Sequence, residues 1–217
     1  MKLILAFSLA LSTLVAADPG KPFKPEKGFI SLFNGKDLTG WTKAKENEGT
    51  FTVKDGVIFA NGPRCHLYYT GAIKGKPADQ LKNFELKVDV MTLPNSNGGI
   101  YFHTAYQETG WPSKGFEVQV NNTHRDWRKT ASLYQVADNK EEVAKDNTWF
   151  TEHIVVKDNV VTVFVDGKKV TEWTQPADWK GTEGFPMRTL SSGTIAFQGH
   201  DPGSTIMYKN VRVKPLK

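Results

Sequence analysis

Regular alternation of apolar and polar residues is the feature of this sequence that most constrains its fold. In the run FELKVDVM, residues 84–91, apolar side chains alternate with Glu85, Lys87 and Asp89. Successive side chains of a β-strand point to opposite faces, so this pattern predicts a strand with one face in the core. No segment shows a sustained 3.6-residue period, and the fold is therefore not expected to contain substantial helices.

Similar short runs recur along the chain, and turn residues separate them. Asp55-Gly56 and Asp166-Gly167 each lie between two such runs, and Asp-Gly is a strong hairpin signal. Many short strands, frequent turns and 12% aromatic content predict an all-β fold, a two-sheet jelly-roll β-sandwich. The expected strands are 51–53, 57–59, 66–69, 84–91, 100–103, 116–121, 149–157, 160–165, 168–173, 194–198 and 205–213.

The N-terminal segment differs from the rest of the chain. In MKLILAFSLALSTLVAA one lysine precedes an uncharged apolar stretch that ends in small residues, which predicts a secretory signal peptide at residues 1–17. The stretch is too short for a membrane span. Residues 18–27 are rich in proline and lysine and are expected to form a leader or tether, and residues 28–217 a single domain. The protein is therefore expected to be exported, to the periplasm or the extracellular space, with no later membrane span.

Charge and cysteine content exclude several function classes. The net charge is +5, but the basic residues are interspersed, with only short pairs such as Lys168-Lys169. A nucleic-acid-binding protein would concentrate them on one element, so nucleic acid is not an expected partner. The single cysteine, Cys65, excludes an internal disulfide, and we interpret it as a buried, inert thiol rather than a nucleophile.

Two strand-like runs between residues 97 and 122 carry polar residues of an unusual kind. Tyr101 and His103 alternate with apolar residues in the first run, and Glu117, Gln119 and Asn121 do so in the second. Solvent-facing strand positions more commonly carry Thr, Lys, Ser or Arg. The side chains found here are suited to holding and protonating a small polar molecule.

A third strand extends this polar face. Gln198 and His200 follow apolar residues in the same alternation. Taken singly, each of these residues is an ordinary surface residue, but together with nearby aromatic rings they indicate a carbohydrate site, because such rings offer flat apolar surfaces to a sugar. The aromatic residues are Tyr68, Trp111, Trp127 and Tyr134.

The polar face does not fit the usual glycosidase mechanism. Hydrolysis with retention needs two carboxyl groups about 5–5.5 Å apart. Glu117, Gln119 and Asn121 supply one acid followed by two amides, and an amide can neither attack the anomeric carbon nor donate a catalytic proton. An ordinary glycosidase is therefore disfavoured.

Metal and nucleophile chemistries have weak support. The histidines show no dense ligand spacing, although His66, His103 and His200 could converge from three strands with Glu117 to bind a divalent metal. No G-x-S-x-G motif and no glycine-rich phosphate loop before a helix occurs. A metal therefore remains an open alternative.

Five segments of the chain carry a family resemblance when they are taken together. They are, in order within residues 28–216, GFISLFNGKDLTGW, NSNGGIYFHT, KGFEVQVNN, TASLYQV and GTIAFQGHDPGSTIMYKNVRVKPL. With these segments the chain resembles a large bacterial family of exported 3-keto-disaccharide hydrolases, which have a concanavalin A-like lectin/glucanase fold. Two positions depart from the family pattern: His103 replaces an arginine, and Asn121 or Asn122 replaces an acid.

The resemblance implies a substrate and a reaction. The substrate would be a 3-keto-glycoside, supplied by an upstream sugar 3-dehydrogenase that oxidises the 3-hydroxyl. The ketone acidifies the hydrogen on C2, so a base can remove it, the C1 substituent leaves, and water adds later. This route needs one base, a proton donor for the leaving oxygen and a group that stabilises the enolate oxygen.

The resemblance also suggests roles for individual residues. Glu117 or His103 would be the base at C2, and His200 the acid for the leaving oxygen, with Tyr101 and Tyr134 as further candidates. A non-catalytic, lectin-like carbohydrate-binding module is the alternative function. The remaining substrate-binding candidates are Arg64, which would bind the keto oxygen, and His66, Gln119 and Gln198.

Overall fold

The computed structural model describes residues 23–217. The expected signal peptide and most of the leader therefore lie outside the described residues. Within them, antiparallel strands form two large sheets and one small two-stranded sheet, which confirms the all-β sandwich. None of the helices in this part of the chain has the length and hydrophobicity needed to span a bilayer.

The strands are short and are joined by turns, as the alternation predicts, and two single-turn 3-10 helices accompany them at Glu48–Thr50 and Ala78–Gln80. The strands are β1 (Ile30–Ser31), β2 (Trp41–Lys43), β3 (Phe51–Lys54), β4 (Val57–Asn61), β5 (Cys65–Tyr69), β6 (Ala72–Ile73), β7 (Lys76–Pro77), β8 (Phe84–Thr92), β9 (Gly98–Thr104), β10 (Phe116–Val120), β11 (Phe150–Lys157), β12 (Val160–Val165), β13 (Lys168–Thr174), β14 (Thr194–Gly199) and β15 (Thr205–Pro215).

The larger sheet has eight strands in the order β13-β12-β11-β8-β15-β4-β3, with β1 paired to β15. The smaller sheet has five strands in the order β10-β9-β14-β5-β2. The strands β8 and β15 are far apart in the sequence but lie side by side at the centre of the larger sheet. The two sheets pack face to face and enclose the core.

The core forms where the apolar faces of the two sheets meet. On β8, Phe84 and Leu86 are fully buried, and the strand alternates between buried and half-buried positions as predicted. From the smaller sheet, Phe197 stacks on Tyr208 of the larger sheet with ring centroids 4.2 Å apart. Burial of this apolar area provides the main driving force for folding, since the chain has no disulfide among the described residues.

The N-terminal end of the described chain packs on the outer face of the larger sheet. Glu26 accepts hydrogen bonds from Arg212 at 2.9 Å and from Lys87 at 3.2 Å. The last residues of the expected leader are therefore tied to β15 and β8.

A β-bulge interrupts the pairing of β9 with β14. The register shifts between Thr194 and Ala196, and His103 adopts a left-handed backbone with φ of 53°. A bulge places two residues opposite one, so the alternation of faces fails beyond it. Gly115 and Gly193 lie against this backbone, and a Cβ on Gly193 would lie 2.2 Å from the His103 carbonyl carbon.

Candidate functional site

The register of the smaller sheet brings the predicted polar residues onto one face. Glu117 pairs with Tyr101 across β10 and β9, and Gln198 pairs with His66 across β14 and β5. This face is not solvated, because the connections between the strands cover it: Glu117 is only 5% exposed and His66 is fully buried. The face is a largely buried polar layer.

Glu117 is held by two hydrogen bonds, one to each carboxylate oxygen. The Tyr101 hydroxyl donates to Oε2 at 2.8 Å, and the Gln198 amide donates to Oε1 at 2.9 Å. Gly99 lies beside Glu117, where a Cβ would be only 2.5 Å from Oε1. The glycine therefore leaves the space that the carboxylate occupies.

Burial raises the pKa of Glu117 above its ordinary value, although the hydrogen bond from Tyr101 and the charge of Arg188 oppose the increase. A carboxylate with a raised pKa is a stronger base than an ordinary one. Burial, together with the neighbouring Glu117, raises the pKa of Tyr101 well above its usual range. Tyr101 therefore keeps its proton and acts as a donor to Glu117.

Several buried polar atoms on this face have no hydrogen-bond partner within residues 23–217. They are both ring nitrogens of His66 and the side-chain oxygens of Gln119 and Gln198. Buried polar groups are nearly always hydrogen-bonded, so unpaired ones that share a face indicate a place for a polar ligand. Burial lowers the pKa of His66 to about 3, which leaves a neutral ring with one donor and one acceptor nitrogen.

His200 lies at the rim of the face, and its orientation is set by its neighbour. His200 Nδ1 lies 2.7 Å from Asp201 Oδ2, and Asp201 also accepts a hydrogen bond from the Ser204 hydroxyl at 2.8 Å. Burial opposes ionisation of Asp201, but the hydrogen bonds from His200 and Ser204 prevail and lower its pKa. An ionised Asp201 on Nδ1 leaves Nε2 of His200 free for a ligand.

The connection between β9 and β10 covers the His66 end of the face. The Trp111 ring lies edge-on to His66 at 5.7 Å and near His200 at 5.4 Å. The Gly110 amide donates to Glu46 at 2.9 Å and anchors this connection. Trp111 is 38% exposed, so it is the aromatic residue best placed to line the entrance to the face.

Arg64 contacts this cover, and two of its three guanidinium nitrogens pair with Glu46. Its Nε and Nη2 donate to the two oxygens of Glu46 at 3.2 and 2.9 Å, and its guanidinium lies over the Trp111 ring. The two guanidinium nitrogens that would bind a carbonyl oxygen thus already donate to the Glu46 carboxylate.

The other predicted aromatic residues have different surroundings. Tyr68 is fully buried beneath Tyr106, and Trp127 is exposed at 47% with the Arg128 guanidinium 4.6 Å from its ring. The backbone amide of Tyr134 donates to the Glu117 carbonyl, which places Tyr134 at the Glu117 end of the face.

The structure places His103 apart from Glu117, contrary to the face that simple alternation predicts. The bulge turns its ring towards Phe84, with centroids 5.8 Å apart. Nε2 lies 2.8 Å from the Lys82 carbonyl, and Nδ1 accepts a hydrogen bond from the Ser191 amide at 3.2 Å. Burial lowers the pKa of His103 to about 4. Both nitrogens therefore serve the fold.

The described part of the chain contains no cluster of side chains that could bind a metal ion. No group of three or more His, Cys, Asp or Glu side chains gathers there as metal ligands do. With His103 turned away, the predicted convergence of His66, His103 and His200 on Glu117 does not form.

The two asparagines that depart from the family pattern have structural partners. The Asn121 amide donates to the carbonyls of Asp126 and Arg128 at 2.9 and 2.8 Å, and Asn122 donates to the Thr92 hydroxyl at 2.9 Å. Both side chains hold the connection that follows β10.

Arg188 is a site residue that the sequence reasoning missed. It lies in the connection between β13 and β14, is only 2% exposed, and its charge acts on Glu117. This connection has no strand periodicity, so nothing in the alternation pointed to it. Asp201 was also missed, although its position directly after His200 was a usable signal.

Comparison with known proteins identifies the family. The sequence model of a family described as a 3-keto-alpha-glucoside-1,2-lyase-like domain matches residues 28–214. The chain belongs to this family. Membership confirms the resemblance seen in the sequence and supports a carbohydrate-active function for the domain. No curated protein matches the sequence significantly.

Solved structures share the fold of this 3-keto-alpha-glucoside-1,2-lyase-like domain. A provisionally named glycosyl hydrolase from Parabacteroides distasonis ATCC 8503 is 26% identical with a TM-score of 0.72, covering 88% of this chain and 94% of its own. A second from the same organism is 21% identical with a TM-score of 0.64, covering 87% and 99%. The carbohydrate binding module CBM66 from Bacillus subtilis is 11% identical with a TM-score of 0.56, covering 81% and 95%, and shows the shared fold alone.

Proposed function

We propose that this protein cleaves 3-keto-glycosides by elimination across C1 and C2, followed by addition of water. The observation that carries the proposal is the environment of Glu117. It is a buried carboxylate that Tyr101 and Gln198 hold by hydrogen bonds, and no acidic side chain of the described residues is among its hydrogen-bond partners. Such a site can abstract a proton but cannot run the two-carboxylate mechanism.

The first step is removal of the proton from C2. Glu117 takes the proton, and the electrons of the C–H bond form a C2–C3 double bond, which places negative charge on the C3 oxygen. Of the two candidate bases, the proposal retains Glu117, because both nitrogens of His103 are engaged by backbone groups.

The second step breaks the glycosidic bond. The C3 carbonyl re-forms, a C1–C2 double bond forms, and the C1–O bond breaks with its electrons on the leaving oxygen. His200 donates a proton to this oxygen, and Asp201 stabilises the orientation and charge of the imidazole. Water then adds a hydroxyl to C1 and a proton to C2, which yields the free 3-keto sugar.

The unpaired polar atoms would bind the sugar itself. His66, Gln119 and Gln198 present both donors and acceptors on one buried face, which suits sugar hydroxyls. Trp111 would lie at the entrance, where its partly exposed ring offers an apolar surface to the sugar.

The decisive experiment compares 4-nitrophenyl glucoside with its 3-keto counterpart. The wild-type protein is expected to release nitrophenol from the ketone only. Glu117→Gln should lower kcat by about 10²–10⁴-fold, because an amide cannot accept the C2 proton. Glu141→Gln makes the same chemical change at an exposed position and should leave turnover unchanged.

The possible results separate three functions. Cleavage of the plain glucoside would reject the elimination, and full activity of Glu117→Gln on the ketone would reject Glu117 as the base. Saturable binding of both glycosides without any product would instead indicate the lectin-like module.

A further inference from the structure

We propose that Arg188 is a further catalytic residue, which binds the C3 oxygen of the keto sugar and stabilises its negative charge when Glu117 removes the C2 proton. This inference rests on the proposed function. It assigns the role of enolate-stabilising group to a residue outside the strands of the polar face.

Arg188 is a buried cation without a carboxylate partner. No acidic oxygen of the described residues lies within 4.0 Å of its nitrogens, whereas Arg212, the other buried arginine, pairs with both Glu26 and Asp89. An unpaired buried charge is costly, so proteins normally pair such charges. A transient anion in the site would provide the missing partner.

The hydrogen bonds of Arg188 fix the guanidinium while leaving donors free. Nη1 donates to the Tyr134 carbonyl at 3.1 Å, the Gln135 side chain at 3.0 Å and the Thr182 hydroxyl at 3.3 Å. The guanidinium also lies 4.2 Å from the Phe185 ring centroid. Nε is buried and has no acceptor within residues 23–217. The group is thus positioned before any substrate binds, as electrostatic stabilisation requires.

The backbone of Tyr134 connects Arg188 to Glu117. The Tyr134 amide donates to the Glu117 carbonyl at 3.0 Å, and the Tyr134 carbonyl accepts a hydrogen bond from Arg188 Nη1 at 3.1 Å. The charge of Arg188 also lowers the pKa of Glu117, although the two side chains form no ion pair. In a 3-keto sugar the acidic C–H and the carbonyl oxygen belong to adjacent carbons, so a base and a cation that lie near each other without pairing match the ketone.

An opening lies next to the guanidinium. Gln135 and Thr182, both partners of Arg188, line an open cavity of about 350 Å³ together with Glu183. This volume falls within the range of small-molecule sites. A sugar in the cavity would meet Gln135 and Thr182, the two side chains that accept hydrogen bonds from the Arg188 guanidinium.

Arg64, the residue expected from the sequence to bind the keto oxygen, is less suited to this role. Two of its nitrogens already contact Glu46.

Arg188 transfers no proton in the proposed step. Its positive charge stabilises the C3 oxygen while the enolate exists, and this interaction weakens when the carbonyl re-forms.

The test measures turnover of the 3-keto glucoside by Arg188→Met, Arg188→Lys and Arg64→Met. Loss of one oxyanion donor typically lowers kcat by about 10²–10³-fold, and we expect this for Arg188→Met. Arg188→Lys should recover part of kcat, since it restores the charge without the fixed fork. Arg64→Met should keep kcat and affect mainly KM.

The pH profile provides a readout that a purely structural role would not change. Because Arg188 lowers the pKa of Glu117, its removal should shift the acid limb of kcat to higher pH. Wild-type kcat in folded Arg188→Met would overturn the inference, as would an unshifted acid limb in that variant. Arg188→Lys keeps the charge, so its acid limb should stay closer to that of the wild-type protein.

A binding measurement separates failure of this inference from failure of the proposed function. In the Glu117→Gln background, the protein should bind the 3-keto glucoside more tightly than the plain glucoside, and adding Arg188→Met should abolish that preference. A preference that survives in the double variant rejects the role of Arg188 alone, whereas cleavage of the plain glucoside by the wild-type protein rejects the elimination itself.

Discussion

At the scale of single residues, the site depends on Gly99, because this residue has no side chain. Gly99 lies opposite Gln119 in the register of β9 and β10, and the Glu117 side chain fills the space above it. Any Cβ at this position would meet both the carboxylate and the Cγ of Glu117. The geometry of the proposed base is therefore set partly by Gly99 on the adjacent strand.

Gly99→Ala should lower kcat while the protein stays folded. The added methyl would lie 2.7 Å from Glu117 Cγ, so the side chain must rotate and lose its hydrogen bonds to Tyr101 and Gln198. We expect a fall in kcat of at least about tenfold, since misplacement of a catalytic group by ~1 Å can cost about 100-fold. Steady-state kinetics on the 3-keto glucoside check this.

Gly49→Ala is the matched control, because a Cβ there would meet nothing within 4 Å. Equal kcat values for the two alanine variants would contradict the role given to Gly99.

Sequence alternation predicts the members of the site that lie in regular parts of their strands. Tyr101, Glu117 and Gln198 share a face because the two-residue period holds where each of them lies, outside the bulge. Alternation fails at His103, because a bulge depends on how two strands pair and cannot be seen in the sequence of one strand alone. It cannot reach Arg188, which a non-repetitive connection carries to the site.

At the scale of secondary-structure elements, the bulge in β9 separates the part of the strand that serves the site from the part that serves the fold. Tyr101 precedes the bulge and contacts Glu117, whereas His103 lies within the bulge and contacts Lys82 and Ser191. Two glycines from neighbouring segments accommodate the displaced backbone. The bulge therefore requires residues without a Cβ at positions 115 and 193.

Gly193→Ala should destabilise the protein through this bulge. Its Cβ would lie 2.2–2.4 Å from backbone atoms of His103 and Thr104, which cannot rotate away as a side chain can. Overpacking of this kind costs about 1–3 kcal/mol in the free energy of unfolding. Urea denaturation measures the difference, and stability equal to that of Gly49→Ala would show that the bulge relaxes freely.

The length of each element explains which strands could be predicted. The β8 strand was predicted almost to its ends because it alternates over nine residues. The β1 and β2 strands span only two and three residues, too few to show a period, and they were missed. Their pairing depends on β15 and β5, which are distant in sequence.

At the scale of the whole molecule, the core contains an acidic side chain that contributes a pH dependence of its own. Glu152 of β11 is fully buried, and neither carboxyl oxygen has a hydrogen-bond partner among the described residues. The Tyr208 hydroxyl is likewise buried and unpaired. Burial raises the pKa of Glu152 to about 8, so the folded protein holds this carboxyl protonated at neutral pH.

The stability of the protein should therefore fall as the pH rises through this range. The folded-state pKa of Glu152 exceeds the ordinary value of 4.5, so the folded state binds the proton more tightly and its advantage is lost between pH 4.5 and about 8. From about pH 6 to about pH 9 the expected loss is roughly 2–3 kcal/mol.

Urea denaturation of Glu152→Gln at both pH values checks this, because a neutral amide should remove most of the loss. Glu142→Gln, at an exposed position, should retain the loss. An unchanged pH dependence in Glu152→Gln would show that other groups cause it.

The position of β14 in the chain determines when the proposed site can form. Glu117 and Tyr101 belong to β10 and β9, but Gln198 belongs to β14, which follows them only after β11, β12 and β13. One of the two groups that hold the proposed base is therefore missing until β14 has paired with β9 and β5. A folding intermediate in which only β9 and β10 are paired would leave the Glu117 carboxylate with the Tyr101 hydrogen bond alone.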